Sequence, residues 1–227
     1  MSGTARAFDT KPRSMLAKSV RYGGALLAVC IGLVSFRYIA KVGPVPQNVF
    51  ANRFFDYCIV VHAAAASTAL ILGFVQLSGV VRRRWPGLHR ASGWLYVAGC
   101  SVGGVSALIL SAGLSTGPVA ASGFGVLGVL WLHATVQGLR FARARDFSRH
   151  RAWMIRSYAL TFAAVTLRIY LPASQMLGVD FTFAYRSIAW LAWVPNMMLA
   201  EVYLRHGARP SPNLQNKASH RGKNNLG

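Results

Sequence analysis

Acidic side chains are nearly absent from this chain. Its 227 residues carry five Asp and Glu against 25 Lys and Arg, a formal net charge of +20. Only Asp56 and Glu201 fall within apolar runs, so no helix offers the paired carboxylates of an intramembrane hydrolase. The sequence also lacks a nucleotide-binding glycine loop, an HExxH motif, and any Ser or Cys placed beside a base. Cysteine is equally sparse. Cys30, Cys58 and Cys100 are odd in number, lie inside apolar runs and show no metal-ligand spacing, which excludes a disulfide framework and leaves them as small apolar fillers.

What the chain does have is apolar length, at 54% hydrophobic residues. Six runs stand out, at Tyr22–Ile39, Phe54–Val81, Ala91–Leu114, Val119–Leu139, Trp153–Leu171 and Ser187–Leu204. Each suits a helix crossing a hydrocarbon core of about 30 Å, at ~1.5 Å per residue. Basic residues alternate between the connections. They crowd the amino-terminal segment (Arg6 to Arg21), Arg82–Arg90, Arg140–Arg151 and the carboxyl-terminal segment (Arg205 to Lys223), and the opposite side keeps only Arg37, Lys41, Arg53 and Arg186. By the positive-inside rule the fold class is all-α, a polytopic membrane bundle of six transmembrane helices with both termini cytoplasmic in the inner membrane. The first run, with Arg37 and Tyr38 at its end and no small-x-small site before Lys41, reads as a retained anchor rather than a cleaved signal. The transmembrane domain is expected over residues 21–205, between disordered basic tails at 1–20 and 206–227.

This organisation excludes more. In a soluble protein the charge would suggest nucleic acid; here no nucleic-acid partner is expected, and the basic flanks meet anionic lipid headgroups at the cytoplasmic face. The opposite-side loops, Lys41–Arg53, Ser115–Pro118 and Pro172–Arg186, are too short to form a catalytic domain, so chemistry must sit among the helices. Gly99 and Gly103 at GxxxG spacing, the Ala63–Ala66 run, and Gly123, Gly125 and Gly128 mark close helix contacts. Pro195 should kink the sixth span, with Asn196 or a neighbour satisfying the freed carbonyl.

A short internal echo links His62 and Leu88-His89-Arg90-Ala91 with His133 and Arg149-His150-Arg151-Ala152, each followed by a Trp. Several of these stretches belong to a longer pattern. His62–Gly73–Gln76, then Leu88-His89-Arg90-x-x-Gly93-x-x-Tyr96, resembles a family of bacterial membrane proteins known as domain of unknown function 2306. So do the segments His150-Arg151-x-Trp153-Met154-Ile155-Arg156-Ser157-Tyr158-Ala159-Leu160-Thr161, Thr166-Leu167-Arg168, and Trp190-x-x-Trp193-Val194-Pro195-Asn196 with Glu201. The likeness covers residues 54–204; it implies membrane architecture and carries no activity with it. The Leu-His-Arg-x-x-Gly pattern is also similar to patterns in cytochrome b561-like and ferric-reductase-like membrane haem proteins.

Ionisable groups at lipid depth call for a functional hypothesis. Arg156 and Glu201 share one depth, and Arg168 and Asp56 another, so two structural ion pairs are one expectation. Neutral imidazoles on different helices at one level can ligate haem iron. His89 and His150 open the third and fifth spans at the same level and are the candidate ligands of a haem b, with His133 as a substitute and Arg156 as a partner for a propionate. The leading expectation is therefore haem-linked electron transfer with a quinone or a membrane redox partner, and no metal beyond the haem iron. The alternatives are a carrier or binding protein for a small anion or lipid, built on His62, Arg168 and Asp56 in the outer half, or a structural membrane protein without a ligand.

Overall fold

The computed structural model describes residues 11–40, 42–43 and 51–207. Helices follow one another as α1 (Lys11–Ser35), a 3-10 turn (Phe36–Tyr38), α2 (Phe55–Leu77), α3 (Gly79–Arg84), α4 (Pro86–Ala112), α5 (Pro118–Arg143), α6 (Phe147–Thr161), α7 (Ala163–Met176), α8 (Phe181–Leu191) and α9 (Val194–Gly207). Prolines open α4 and α5 at the first helical positions, where a missing N–H costs nothing. Asp146 and Asp180 cap α6 and α8, each accepting the backbone N–H three residues on, from Arg149 at 3.0 Å and Phe183 at 2.8 Å.

Among the described residues, three helices are long and apolar enough to cross a membrane: Asp56–Leu77, Pro86–Ala112 and Pro118–Arg143, of 22, 27 and 26 residues. The apolar runs expected as spans five and six are each divided. Span five passes through Phe162, where α6 gives way to α7 while the Phe162 N–H still reaches the Tyr158 carbonyl at 2.8 Å. Span six breaks at Ala192 and Trp193, just before Pro195; the Asn196 amide donates to the Ala192 carbonyl at 3.0 Å and to Thr166 Oγ1 at 3.1 Å.

Two boundaries differ from the sequence reading. The helical backbone of α1 begins at Lys11, inside the segment expected to be disordered; Pro12 near its start suits a helix opening. Residues 1–10 and 208–227, the remainder of both expected tails, lie outside the described residues. Pro172, expected to open a 15-residue loop, sits inside α7, and only 177–180 separate α7 from α8, with Gly178 at φ +69° making the turn.

The bundle buries many small and polar residues beside a few large ones such as Tyr96, Leu70 and Trp131, and leaves many large apolar residues outside. Ala69, Cys100, Ala134, Ser157 and Thr135 are buried, whereas Leu33, Val61, Val105, Ile109, Val129 and Leu199 are exposed. Such a surface would associate in water; lipid solvates it and leaves close packing and hydrogen bonds to hold the helices. The tightest pairing is α2 against α4. A Cβ on Gly99 would stand 2.8 Å from the Ala65 carbonyl oxygen, so only glycine permits that approach. At one end of this pair Asn52 clasps both helices, its amide donating to the Leu110 carbonyl at 2.8 Å and its Oδ1 accepting the Phe54 N–H at 2.9 Å. At the same end Arg186 Nε donates to the Thr116 carbonyl at 2.7 Å, tying the α4–α5 connection to α8.

Candidate functional site

At the end held by Asn52 and Arg186, α2, α4, α5, α6, α7, α8 and the 3-10 turn surround a cavity of about 230 Å³. Its polar wall includes His62 of α2, Arg168 of α7, Tyr38 of the turn and Tyr185 of α8. Trp131 and Leu160 are among the apolar side chains that complete it.

Arg168 is part-buried by area and densely surrounded by protein. Its Nη1 donates to the Ala164 carbonyl one turn back, at 3.0 Å. The expected partner, Asp56, is exposed in the first turn of α2 and does not line the cavity, so the Arg168–Asp56 pair does not form. Equal depth was not enough, because the two side chains leave their helices in different directions. The other carboxylates are committed elsewhere: Asp146 and Asp180 to helix caps, Glu201 to Arg156, while Asp9 lies outside the described residues. A guanidinium has five N–H donors, and Arg168 makes one hydrogen bond among the described residues.

The neighbouring groups add donors. Tyr38 lies within electrostatic range of both Arg168 and Tyr185, and neither tyrosine hydroxyl is hydrogen-bonded among the described residues. Arg37 packs over the Tyr38 ring at 4.9 Å and adds positive potential near Arg168. His62 donates Nδ1–H to the Gly103 carbonyl at 3.0 Å, which leaves Nε2 with its lone pair in the neutral ring. One cation, two free phenol hydroxyls and apolar walls make a receptacle for an anionic or strongly hydrogen-bond-accepting group. Sequence reasoning named His62 and Arg168. It gave Tyr38 and Tyr185 no part in the site, since tyrosines of an interfacial belt and tyrosines of a site occur at the same depth and no local signal separates them.

Beneath the cavity lies a buried hydroxyl cluster that joins α4, α5 and α6. Tyr96 Oη lies 2.8 Å from Ser157 Oγ and 3.2 Å from Thr161 Oγ1; Thr135 Oγ1 lies 2.8 Å from Ser157 Oγ; Trp131 Nε1 donates to Thr161 Oγ1 at 2.8 Å. Thr161 and Trp131 belong also to the cavity lining, so this cluster fixes the cavity floor. Tyr96, Ser157 and Thr161 stand in the family-like motifs, but nothing in the sequence showed that they meet Trp131 and Thr135.

The histidines at the opposite end have a different setting. His150 donates Nδ1–H to the Gly138 carbonyl at 2.8 Å, which places the lone pair of the neutral ring on Nε2, and His89 lies within electrostatic range of His150 and of Arg82. His89 Nδ1 is buried without a hydrogen-bond partner among the described residues. His133 is exposed and meets the Trp153 ring edge-on at 5.3 Å, so it does not share the surroundings of His62, its counterpart in the internal echo. Arg156 holds Glu201 through two bonds, Nε–Oε1 at 2.6 Å and Nη2–Oε2 at 3.0 Å, and stacks on Trp153 at 4.8 Å. The structural pair expected of these two residues is present, and it occupies the guanidinium that was also a candidate for a propionate. Neither His89 nor His150 lines the cavity.

Comparison with known proteins follows the same line as the architecture. The model of the DUF2306 family, described as predicted membrane protein, matches residues 59–204, and the chain belongs to that family. No curated protein and no solved structure matches it. The likeness of the Leu-His-Arg-x-x-Gly pattern to cytochrome b561-like proteins is therefore carried by no comparison. The matched segment includes His62, Arg168, Tyr185 and Glu201, and leaves Arg37, Tyr38 and Asp56 outside it.

Proposed function

We propose that this DUF2306 member is a six-span inner-membrane protein, both termini cytoplasmic, that binds a small anion in the outer half of its helical bundle. The spans are α1, α2, α4, α5, α6 with α7, and α8 with α9. The alternation of basic connections supports this orientation, which puts Arg168 near the outer face. Alkaline phosphatase fusions test it: they should be active after Ser115 and Gly178 and inactive after Arg84 and Arg145. The reverse pattern would overturn the topology.

The observation that carries the binding function is Arg168, a guanidinium set in a cavity wall while the carboxylates of the described residues are engaged or face elsewhere. A charge away from water requires a partner, and the cavity leaves room for one to arrive from outside. Native mass spectrometry of protein extracted in mild detergent tests this directly. Wild type should carry a small bound anion that Arg168→Gln loses. Identical spectra for the two proteins would defeat the proposal.

A second reading is favoured by the fixed tautomer of His150 beside the orphaned Nδ1 of His89. Together these residues would hold haem b as axial ligands, and the bound group would supply one-electron transfer to or from a quinone or membrane partner. The Gly138 carbonyl would orient the His150 ring and strengthen it as a ligand. A reduced-minus-oxidised visible spectrum of protein from haem-supplemented cells decides: a sharp α band lost in His150→Ala supports it, and a flat spectrum with intact helicity ends it.

A further inference from the structure

We infer that the ligand of the Arg168 cavity is a small aryl monocarboxylate, one flat ring joined to a carboxylate by a short methylene link; this rests on the anion-binding reading above. Charge gives the first constraint. The lining offers one guanidinium, Arg37 standing outside it behind the Tyr38 ring, and the Tyr38 and Tyr185 hydroxyls donate hydrogen bonds without adding charge. A phosphate monoester, at about −1.5 to −2 near neutral pH, would bring excess negative charge among apolar side chains. A carboxylate brings one charge, and its two oxygens match the guanidinium fork.

Size gives the second. The cavity measures about 230 Å³, whereas an apolar cavity of about 150 Å³ accommodates benzene. The difference is two to three times the ~30 Å³ that a water molecule occupies in the liquid, enough for a carboxymethyl group. Inorganic phosphate or acetate would leave the apolar part unfilled. Shape and polarity give the third. Thr161 and Arg168 both line the cavity and stand seven residues apart on α6 and α7, so its charged end lies ~10 Å along the helix axis from its floor. The floor and sides carry Trp131, Phe124, Leu127 and Leu160, surfaces that suit a ring. The free Nε2 of His62 is an acceptor, so a hydroxyl on the ring should improve binding.

The test uses the full-length protein in mild detergent, with phenylacetate, acetate, inorganic phosphate and phosphatidylglycerol as probes in thermal unfolding and titration. Phenylacetate at a hundredfold excess over its Kd should raise the midpoint by about 5 °C or more. Acetate and phosphate at the same concentration should not. Arg168→Gln should abolish the shift. Tyr185→Phe removes only a hydroxyl that has no partner among the described residues, so it should fold normally and weaken phenylacetate about tenfold. An Arg168-dependent shift with phosphate or phosphatidylglycerol, and none with phenylacetate, would overturn the ligand class and leave the anion site standing. No Arg168-dependent shift with any probe would overturn both.

Discussion

Placing a carboxylate beside Arg168 should replace the ligand. Ala164 lines the cavity one turn before Arg168, and its carbonyl already receives the Arg168 Nη1–H at 3.0 Å. In Ala164→Glu the acid precedes the base by four residues, the favoured helical orientation. At ~4 Å and an effective dielectric of ~20, their attraction is about 4 kcal/mol. Withdrawing the new carboxylate from water costs several kcal/mol, so the net stability should change little. Binding should change greatly. An anion that meets a neutral pair instead of a lone cation forfeits about the same 4 kcal/mol, roughly a thousandfold in Kd. Because Glu also fills space, Ala164→Gln serves as the control of equal size and should lose much less affinity. The assay is ligand-dependent thermal stabilisation of the three purified proteins. Anion binding by Ala164→Glu within threefold of Ala164→Gln would refute the electrostatic reasoning.

Other perturbations probe the frame of the site. Thr161→Val should cost about 1–3 kcal/mol, because it strips the buried Trp131 indole N–H of its acceptor, whereas Tyr96→Phe should cost only ~0.6–1 kcal/mol, since every remaining partner keeps another bond. Reversible unfolding in mixed micelles should reproduce that order; the opposite order would show that the hydroxyl cluster is wired differently. Glu201→Gln should destabilise by about 1 kcal/mol, a modest figure because both partners are partly exposed at 23% and 34%, and the loss should shrink in Glu201→Gln with Arg156→Gln together, as a double-mutant cycle would measure. Gly99→Val should separate α2 from α4 and lower the unfolding midpoint sharply, whereas Gly87→Val, where nothing lies within 4 Å of the added Cβ, should leave it within a degree or two of wild type.

Much of this molecule is legible in one dimension. Hydrophobic runs specify helices and their approximate lengths because a span must satisfy its own backbone within lipid. GxxxG spacing locates the α2–α4 contact, because only residues without side-chain bulk let two backbones approach. Arg156 and Glu201 were found by shared depth and opposite sign, and Asn196 by its place beside Pro195. The same reasoning failed for Arg168 and Asp56. Depth follows from residue count, but the direction in which a side chain points depends on the rotation of its helix, which neighbouring helices set through packing.

The sequence alone thus determined that the chain is helical, is suited to lipid and has almost no carboxylates with which to neutralise a buried cation. Tertiary structure decided that Arg168 stands in a cavity wall with no carboxylate beside it among the described residues. It turned Asp56 outward, brought Tyr38 and Tyr185 from distant segments to the wall around Arg168, and closed the floor with Trp131 and Thr161. A cavity is the space left between elements, so it depends on how six helices and a turn fit together, and no single segment encodes it.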